Sequence, residues 1–150
     1  MRLTVHADYA LRTLIYVGLR APERSNISVI SKAYGISTNH LMKVVNHLSQ
    51  AGLLCATRGR GGGLSLARKP EEIRVGDVIR LMEEDLAIVE CRATGQCRIS
   101  AACRLRGAIA DAAAAFLAVL DRVTLADLIA PEVGMATARL LGIEGRDSGS

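Results

Sequence analysis

The most reactive residues of this 150-residue sequence are four cysteines, three of which are regularly spaced. Cys91, Cys97 and Cys103 are each separated by five residues, in the segment CRATGQCRISAAC. Thiolates are the usual protein ligands of iron–sulfur clusters, and a polar loop that contains glycine can wrap three of them around one cluster. A zinc site is less favoured, because zinc usually takes closely spaced pairs of Cys or His that complete a tetrahedron. A disulfide or redox-active thiols remain alternatives.

The residues around these cysteines are basic, and the fourth cysteine lies elsewhere. Arg92, Arg98 and Arg104 would offset the negative charge of thiolates and of a cluster. Cys55 lies in an apolar segment, where we interpret it as a small buried hydrophobic residue rather than as a ligand. The three regularly spaced thiols therefore leave one coordination position of a cluster to be filled from another part of the chain.

Charge divides the chain into a basic and an acidic half. Residues 1–70 hold ten basic and two acidic residues, a net charge of +8, whereas the rest holds nine basic and thirteen acidic residues, a net charge of −4. This asymmetry predicts one surface that binds a polyanion such as DNA. The aromatic content of 3% argues against base stacking, and hence against single-stranded nucleic acid as the main ligand.

Several classes of function are disfavoured by composition and motifs. Half of the residues are hydrophobic, which indicates a folded domain. No apolar run is long enough for a membrane span and the first residues lack the layout of a signal peptide, so we expect a cytoplasmic protein without a membrane partner. The sequence contains no CxxC pair, no acid–base pair in a suitable context and no nucleotide-binding loop, so we do not expect an enzyme.

Two helices joined by a glycine turn are predicted in the basic half. Ser28 is placed to cap a short helix over 29–34, which Gly35 would close in the left-handed conformation. Ser37 is placed to cap a longer helix that ends before Gly52. Two such helices around a tight turn are typical of the helix-turn-helix unit of DNA-binding proteins.

A β-hairpin is predicted directly after this unit. Residues 53–57 and 64–67 form its strands, and the glycine-rich turn between them carries Arg58 and Arg60. A hairpin in this position is the wing of a winged helix, and arginines at its tip suit contact with phosphates or with the minor groove. An amphipathic helix over 8–20 precedes the whole unit.

The acidic half is predicted to be helical on both sides of a loop. A helical segment starts at Pro70, an alanine-rich helix spans 103–123, and Thr124 starts a further helix that Pro131 ends. The fold class is therefore mainly α with a small β-hairpin.

The chain from Met1 to about Leu128 resembles the bacterial iron–sulfur winged-helix repressors typified by NsrR and IscR, and most closely the nitric-oxide-sensing NsrR type. The resemblance is carried by the opening MRLTVHADYALRTLIYVG, the block ISVISKAYGISTNHLMKVVNHLSQAGLL, the wing TRGRGGGLSLARKP and the three spaced cysteines. It implies a winged helix-turn-helix plus a long dimerisation helix, in a homodimer with one cluster per subunit near the interface. We accordingly expect a winged-helix DNA-binding domain over 1–84 and an iron–sulfur cluster-binding loop over 85–103. A dimerisation helix and a C-terminal helix are expected over 104–130, followed by a partly disordered tail over 131–150.

The resemblance also implies the metal ligands. In NsrR-type proteins the three thiolates are joined by an aspartate of the opening helix from the other subunit, and the matching residue is Asp8. The IscR type uses a histidine three residues after the third cysteine, a position that Arg106 occupies here. Arg12 lies one helical turn after Asp8 and is placed to pair with it when the cluster is absent. One ligand per iron suits a [4Fe–4S] cluster, which we favour over [2Fe–2S].

The helix that starts at Ser37 is expected to enter the major groove of duplex DNA. The candidate DNA-contacting residues are Ser28, Ser31, Ser37, Thr38, Asn39, His40, Lys43, Arg58 and Arg60. Twofold symmetry of the dimer predicts a pseudo-palindromic operator.

These expectations combine into a repressor whose cluster senses nitric oxide. Reaction with nitric oxide would lower operator affinity and derepress genes for nitric-oxide detoxification. One alternative is a regulator on the same scaffold that senses iron or cluster supply. Another is a zinc-based or thiol-based DNA-binding regulator without a cluster.

Overall fold

A computed structural model describes residues 3–84, 86, 98–99 and 102–143 of the chain. Within these ranges it contains seven α-helices, one 3-10 turn and a two-stranded antiparallel sheet. In chain order the elements are α1 (Val5–Arg20), α2 (Ile27–Tyr34), α3 (Thr38–Gln50), β1 (Leu54–Thr57), β2 (Gly63–Leu66), the 3-10 turn (Pro70–Glu72), α4 (Val75–Met82), α5 (Arg104–Leu120), α6 (Leu125–Leu128) and α7 (Pro131–Leu140). The predicted fold class, mainly α with a small hairpin, is confirmed.

Helix α1 forms the centre of the core. It begins at Val5, earlier than the predicted 8–20, because the Thr4 side chain accepts a hydrogen bond from the Ala7 N–H and caps the first turn. Its buried face includes Ala7, Ala10 and Leu14, which are fully inaccessible to solvent. The small side chains on this face allow neighbouring elements to approach the helix closely.

The helix-turn-helix unit is present, with one change at its start. Helix α2 is capped by Asn26, whose Oδ1 accepts from the Val29 N–H at 2.9 Å, and not by Ser28. Asn26 has the extended backbone that a capping residue needs, whereas Ser28 lies inside the helix and donates its hydroxyl to Asn26 Oδ1 at 2.7 Å. Gly35 closes the helix in the left-handed conformation, as predicted.

Helix α3 follows the turn and packs on α1. The predicted apolar face is buried and consists of Leu41, Val44, Val45 and Leu48. Ser37 precedes the first turn as predicted, but its side chain makes no capping hydrogen bond. The opposite face of α3 remains exposed to solvent and is free to contact a ligand.

The predicted hairpin is formed by β1 and β2, with Leu54 opposite Leu66 and Cys55 opposite Ser65. Because side chains alternate between the two faces of a strand, Leu54 points into the core and Cys55 points away from it. Cys55 is exposed, so its interpretation as a buried hydrophobic residue is wrong. The hairpin is also bonded to the segment before α2, where Ser25 and Leu64 exchange two backbone hydrogen bonds of 3.0 and 2.6 Å.

The C-terminal helices differ from the prediction mainly after Pro131. The long helix α5 is present, and α6 begins with the expected capping box between Thr124 and Asp127. Pro131 is the first residue of α7 and does not merely end α6, because the first turn of a helix needs no N–H from its first residue. Helix α7 packs on α1, and Ile143 after it is buried, so 131–143 is ordered although it falls within the expected tail. Residues 144–150 lie outside the described part.

No helix among the described residues is long and apolar enough to cross a membrane.

Replacing Gly35 tests the turn that orients α3. A Cβ at this position would meet nothing within 4 Å, so the cost of substitution comes from the positive φ of 65° alone. We expect Gly35→Ala to lower the free energy of unfolding by about 1–2 kcal/mol. Gly35→Asn is the control, and its free energy of unfolding should fall by less, because asparagine tolerates the left-handed conformation. Urea denaturation measures both, and an alanine variant as stable as the wild type would contradict this account.

Candidate functional site

Cys103 is the one of the three regularly spaced cysteines that the structure describes. It precedes the first residue of α5 and is a free, partly exposed thiol. It lines an open depression together with Arg106, Gly107 and Ala110. Cys91 and Cys97 lie outside the described residues. Within the ranges that the structure covers, no three His, Cys, Asp or Glu side chains form a metal-binding group, so the ligand set remains a prediction.

Asp8 lies in the first turn of α1 and forms a two-point ion pair with Arg12. Its Oδ1 accepts from Arg12 Nε at 3.1 Å, and its Oδ2 lies 3.0 Å from Arg12 Nη2. The two side chains are 46% and 44% exposed. An exposed pair at this helical spacing stabilises a protein by only about 0.3–0.5 kcal/mol. The carboxylate can therefore exchange Arg12 for a stronger partner at small cost.

Arg12 also connects α1 to the helix-turn-helix unit. Its guanidinium carbon lies 5.7 Å from the centre of the Tyr34 ring, within the range of a cation–π contact. The Tyr34 ring in turn meets the buried Tyr16 ring at 6.3 Å. Burial raises the pKa of Tyr34 to about 12, although Arg12 acts in the opposite direction. The phenol is therefore neutral at physiological pH, and Arg12 lies over an uncharged ring of α2.

A second contact links the first turns of α1 to α3. The His40 ring of α3 lies 6.5 Å from the His6 ring and 6.4 Å from the Tyr9 ring, measured between centroids. Tyr9 follows Asp8 directly in sequence. The segment of α1 that carries the predicted metal ligand therefore contacts both helices of the helix-turn-helix unit.

The predicted DNA-contacting residues are mostly accessible. Seven of them are exposed on α3, just before it and at the tip of the hairpin: Ser37, Thr38, Asn39, His40, Lys43, Arg58 and Arg60. Ser28 is also exposed but bonded to Asn26. Ser31 is partly buried, donates to the Ile36 carbonyl at 2.6 Å and accepts from the Thr38 hydroxyl at 3.3 Å. Ser31 therefore holds the turn between the helices, and its hydroxyl is less available to phosphates than the others.

Some accessible residues of α3 were not among the predicted contacts. Met42 is a large apolar side chain that is 55% exposed. His47 lies one turn after Lys43 and lines a depression with His6 and Glu84. Helical periodicity could have identified Met42, because it lies outside the buried positions of α3. Its apolar chemistry suits contact with a thymine methyl group.

The chain is similar to known proteins over most of its length. Residues 3–131 match the Rrf2 family, described as "Iron-dependent Transcriptional regulator". The HTH-type transcriptional regulator NsrR of Bacillus subtilis (strain 168) is 47% identical over 132 residues, which cover 86% of this chain and 90% of that protein. NsrR of Oceanobacillus iheyensis is 43% identical over 147 residues, which cover 96% and 99% of the two chains.

Solved structures agree with these sequence matches. CymR, the global cysteine regulator of B. subtilis, superposes with a TM-score of 0.70 at 26% identity and covers 85% of this chain and 95% of its own. T. potens IscR superposes with a TM-score of 0.70 at 25% identity and covers 86% of each chain. The relatives of known role are regulators of transcription, which confirms that the chain is not an enzyme. The chain belongs to the Rrf2 family of transcriptional regulators.

Proposed function

We propose that this DNA-binding regulator is a homodimeric repressor that releases its operator when nitric oxide reacts at an iron–sulfur cluster. The observation that carries the proposal is the position of Asp8. Its half-exposed carboxylate pairs with Arg12, which contacts α2, and lies next to Tyr9, which contacts α3. A change in the partner of this carboxylate therefore acts directly on the helices that would contact DNA.

The donor set of the chain fits a cluster. Cys103 is a free thiol at the N-terminal end of α5, where the helix dipole favours negative charge. Cys91, Cys97 and the partner subunit's Asp8 would complete the four ligands, and a bound cluster would supply iron that nitric oxide can reach. A carboxylate is a harder ligand than a thiolate and is held less firmly by such iron. Asp8 is therefore the ligand expected to leave first, and a [4Fe–4S] cluster with one ligand per iron suits this set.

The residues of α1 then respond to the loss of ligation. A released Asp8 carboxylate pairs with Arg12, as it does in this structure. The guanidinium that lies over Tyr34 is drawn into this pair, while Tyr9 next to Asp8 contacts His40. Small shifts of α2 and α3 in each subunit change the spacing of two recognition helices on DNA. Operator affinity falls for this reason.

Two elements of each subunit would contact the operator. Helix α3 presents exposed Thr38, Asn39 and Lys43 at its N-terminal half, which suits entry into the major groove. The exposed Arg58 and Arg60 at the hairpin tip suit phosphates or the minor groove. Twofold symmetry would make the operator pseudo-palindromic, with half-sites about 34–36 Å apart or a multiple of this distance.

The contact of the wing with DNA is tested by salt dependence. We expect Arg60→Ala to weaken binding to all duplexes and to reduce the slope of log K against log salt by about one, because one phosphate contact is lost. Arg139→Ala is the matched control, since Arg139 is an exposed arginine on α7. Fluorescence anisotropy at several salt concentrations measures both slopes. A slope equal to that of the wild type would show that Arg60 makes no phosphate contact and would count against contact of the wing with DNA.

The role of Asp8 is tested by cluster content after anaerobic purification. We expect Asp8→Ala to bind its cluster at least tenfold more weakly than the wild type, measured as the loss of iron and sulfide to a chelator. Substitution of residues that only support metal ligands often lowers metal affinity by this factor. Glu23→Ala is the control, because Glu23 is the other acidic residue of the basic half and pairs with Arg20. Wild-type chelator resistance in Asp8→Ala would remove Asp8 from the ligand set.

Nitric oxide sensing is tested by titration of the anaerobic holoprotein on operator DNA. We expect affinity to fall about 100-fold, a coupling free energy of about 3 kcal/mol. Cys103→Ser, which lacks a predicted ligand, should not respond. Full reaction with nitric oxide without loss of affinity would refute the sensing role.

Iron supply is the second candidate signal, and the iron-dependent description of the family favours it. In this second candidate function, loss of iron or of the cluster changes DNA affinity, and nitric oxide does not. If chelation of iron without nitric oxide lowers affinity and nitric oxide does not, the chain senses iron or cluster supply. A colourless protein with stoichiometric zinc would support the third candidate, a zinc-based regulator.

A further inference from the structure

The C-terminal end of α5 is joined to the rest of the molecule by backbone hydrogen bonds. The Val75 N–H donates to the Val123 carbonyl at 2.9 Å, and the Leu125 N–H donates to the Ile73 carbonyl at 2.8 Å. Leu125 is buried in the core on the next helix, α6. The C-terminal end of α5 is therefore hydrogen-bonded to the residues at the start of α4, which belong to the DNA-binding part.

An ion pair spans the same joint. Arg80 of α4 donates from Nη1 to Asp121 Oδ1 at 2.6 Å and from Nη2 to Asp121 Oδ2 at 2.7 Å. Asp121 lies at the C-terminal cap of α5, where the helix dipole disfavours a negative charge. The two hydrogen bonds from Arg80 offset this cost, and they hold the pKa of Asp121 below its usual value. A two-point pair also fixes the relative orientation of the two helices, which a single contact would not.

A glycine makes room for this pair. Gly76 is in the first turn of α4, and a Cβ built on it would overlap Asp121 Oδ1. The Asp121 carboxylate therefore lies directly against the backbone of α4. Backbone bonds, ion pair and close contact all lie within a few residues of one another at one end of α5.

The rest of α5 is less buried than this joint within the described part of the chain. None of its residues is buried, and Leu105 and Val119 are among the exposed large hydrophobic residues of the described chain. The helix has 17 residues and so is about 25 Å long. A rotation of about 10° at the joint moves its far end by roughly 4 Å, which exceeds one base-pair step of about 3.4 Å along DNA.

We propose that Arg80, Asp121 and Gly76 are positioning residues that set the angle between α5 and the DNA-binding part, and thereby the half-site spacing that the dimer accepts. This inference rests on the proposed function, since it needs a dimer built on α5 that binds two half-sites. It adds to that function the residues that determine which operator spacing the dimer binds. The joint lies at the opposite end of α5 from Cys103, so its effect on spacing is separate from cluster binding.

The test measures binding as a function of operator spacing. The probe is a pseudo-palindromic duplex selected by the wild-type protein from a random library, together with versions in which one or two central base pairs are inserted or deleted and a single half-site duplex. The variants are Asp121→Asn, which weakens the pair, and Arg80→Lys, which keeps the charge but removes the two-point geometry. Asp77→Asn is the matched control, because Asp77 also contacts Arg80, at 3.2 Å, but lies in the same helix.

We expect Asp121→Asn and Arg80→Lys to bind the selected duplex about tenfold more weakly and to discriminate less between spacings. Binding to the single half-site and the behaviour of Asp77→Asn should match the wild type. A wild-type spacing profile in both variants would overturn the proposal, and so would an equal loss on the single half-site. If the wild type itself shows no preference for a two-part operator, the proposed function fails, and the inference fails with it. Thermal unfolding confirms that each variant is folded, and Arg80→Lys provides the answer should Asp121→Asn be unfolded.

Discussion

The packing of α1 is the constraint on which the rest of the structure depends. Its buried face of small and branched apolar residues contacts α3, α4, α6, α7 and the hairpin, so one helix sets the positions of these elements. Gly18 extends this close packing, since a Cβ there would lie 3.0 Å from Ile129 Cδ1. Interiors packed at this density transmit small displacements and do not absorb them. A ligand that acts on the polar edge of α1 consequently acts on the whole unit.

The polar edge of α1 is weakly held by comparison. Asp8 and Arg12 are nearly half exposed, and their pair stabilises the fold little. Exposed polar side chains such as these can change partners while the protein stays folded. The buried side chains of Leu14 and Ala10 cannot, because their contacts form the core. The same helix therefore combines a tightly packed face with a weakly held, exposed ion pair.

The sequence predicted the elements whose signals are local. Gly35 and the Thr124–Asp127 box specify a turn and a helix start by themselves, because the hydrogen bonds and dihedral angles concerned lie within a few residues. The choice between Asn26 and Ser28 as the cap of α2 depends on where the backbone leaves the extended conformation, which composition does not specify. Cys55 was assigned to the wrong environment because a two-stranded hairpin buries only one of its faces.

Less of the site could be predicted, for a physical reason. Equal spacing identifies the three cysteines as a set, but a carboxylate ligand from a second subunit has no fixed sequence distance to them, so Asp8 follows only from the resemblance. The Arg80–Asp121 pair joins residues 41 positions apart, and no pattern in either segment indicates the other. Such contacts appear only once the helices are placed in space.

The two backbone hydrogen bonds between Ser25 and Leu64 bear on how the protein would leave its operator. Ser25 is followed directly by Asn26, the residue that caps α2, so the backbone that starts α2 also supports the hairpin. Any tilt of α2 is accordingly passed to the wing. In the proposed function, the DNA contacts of the helix-turn-helix unit and those of the wing would therefore be lost together.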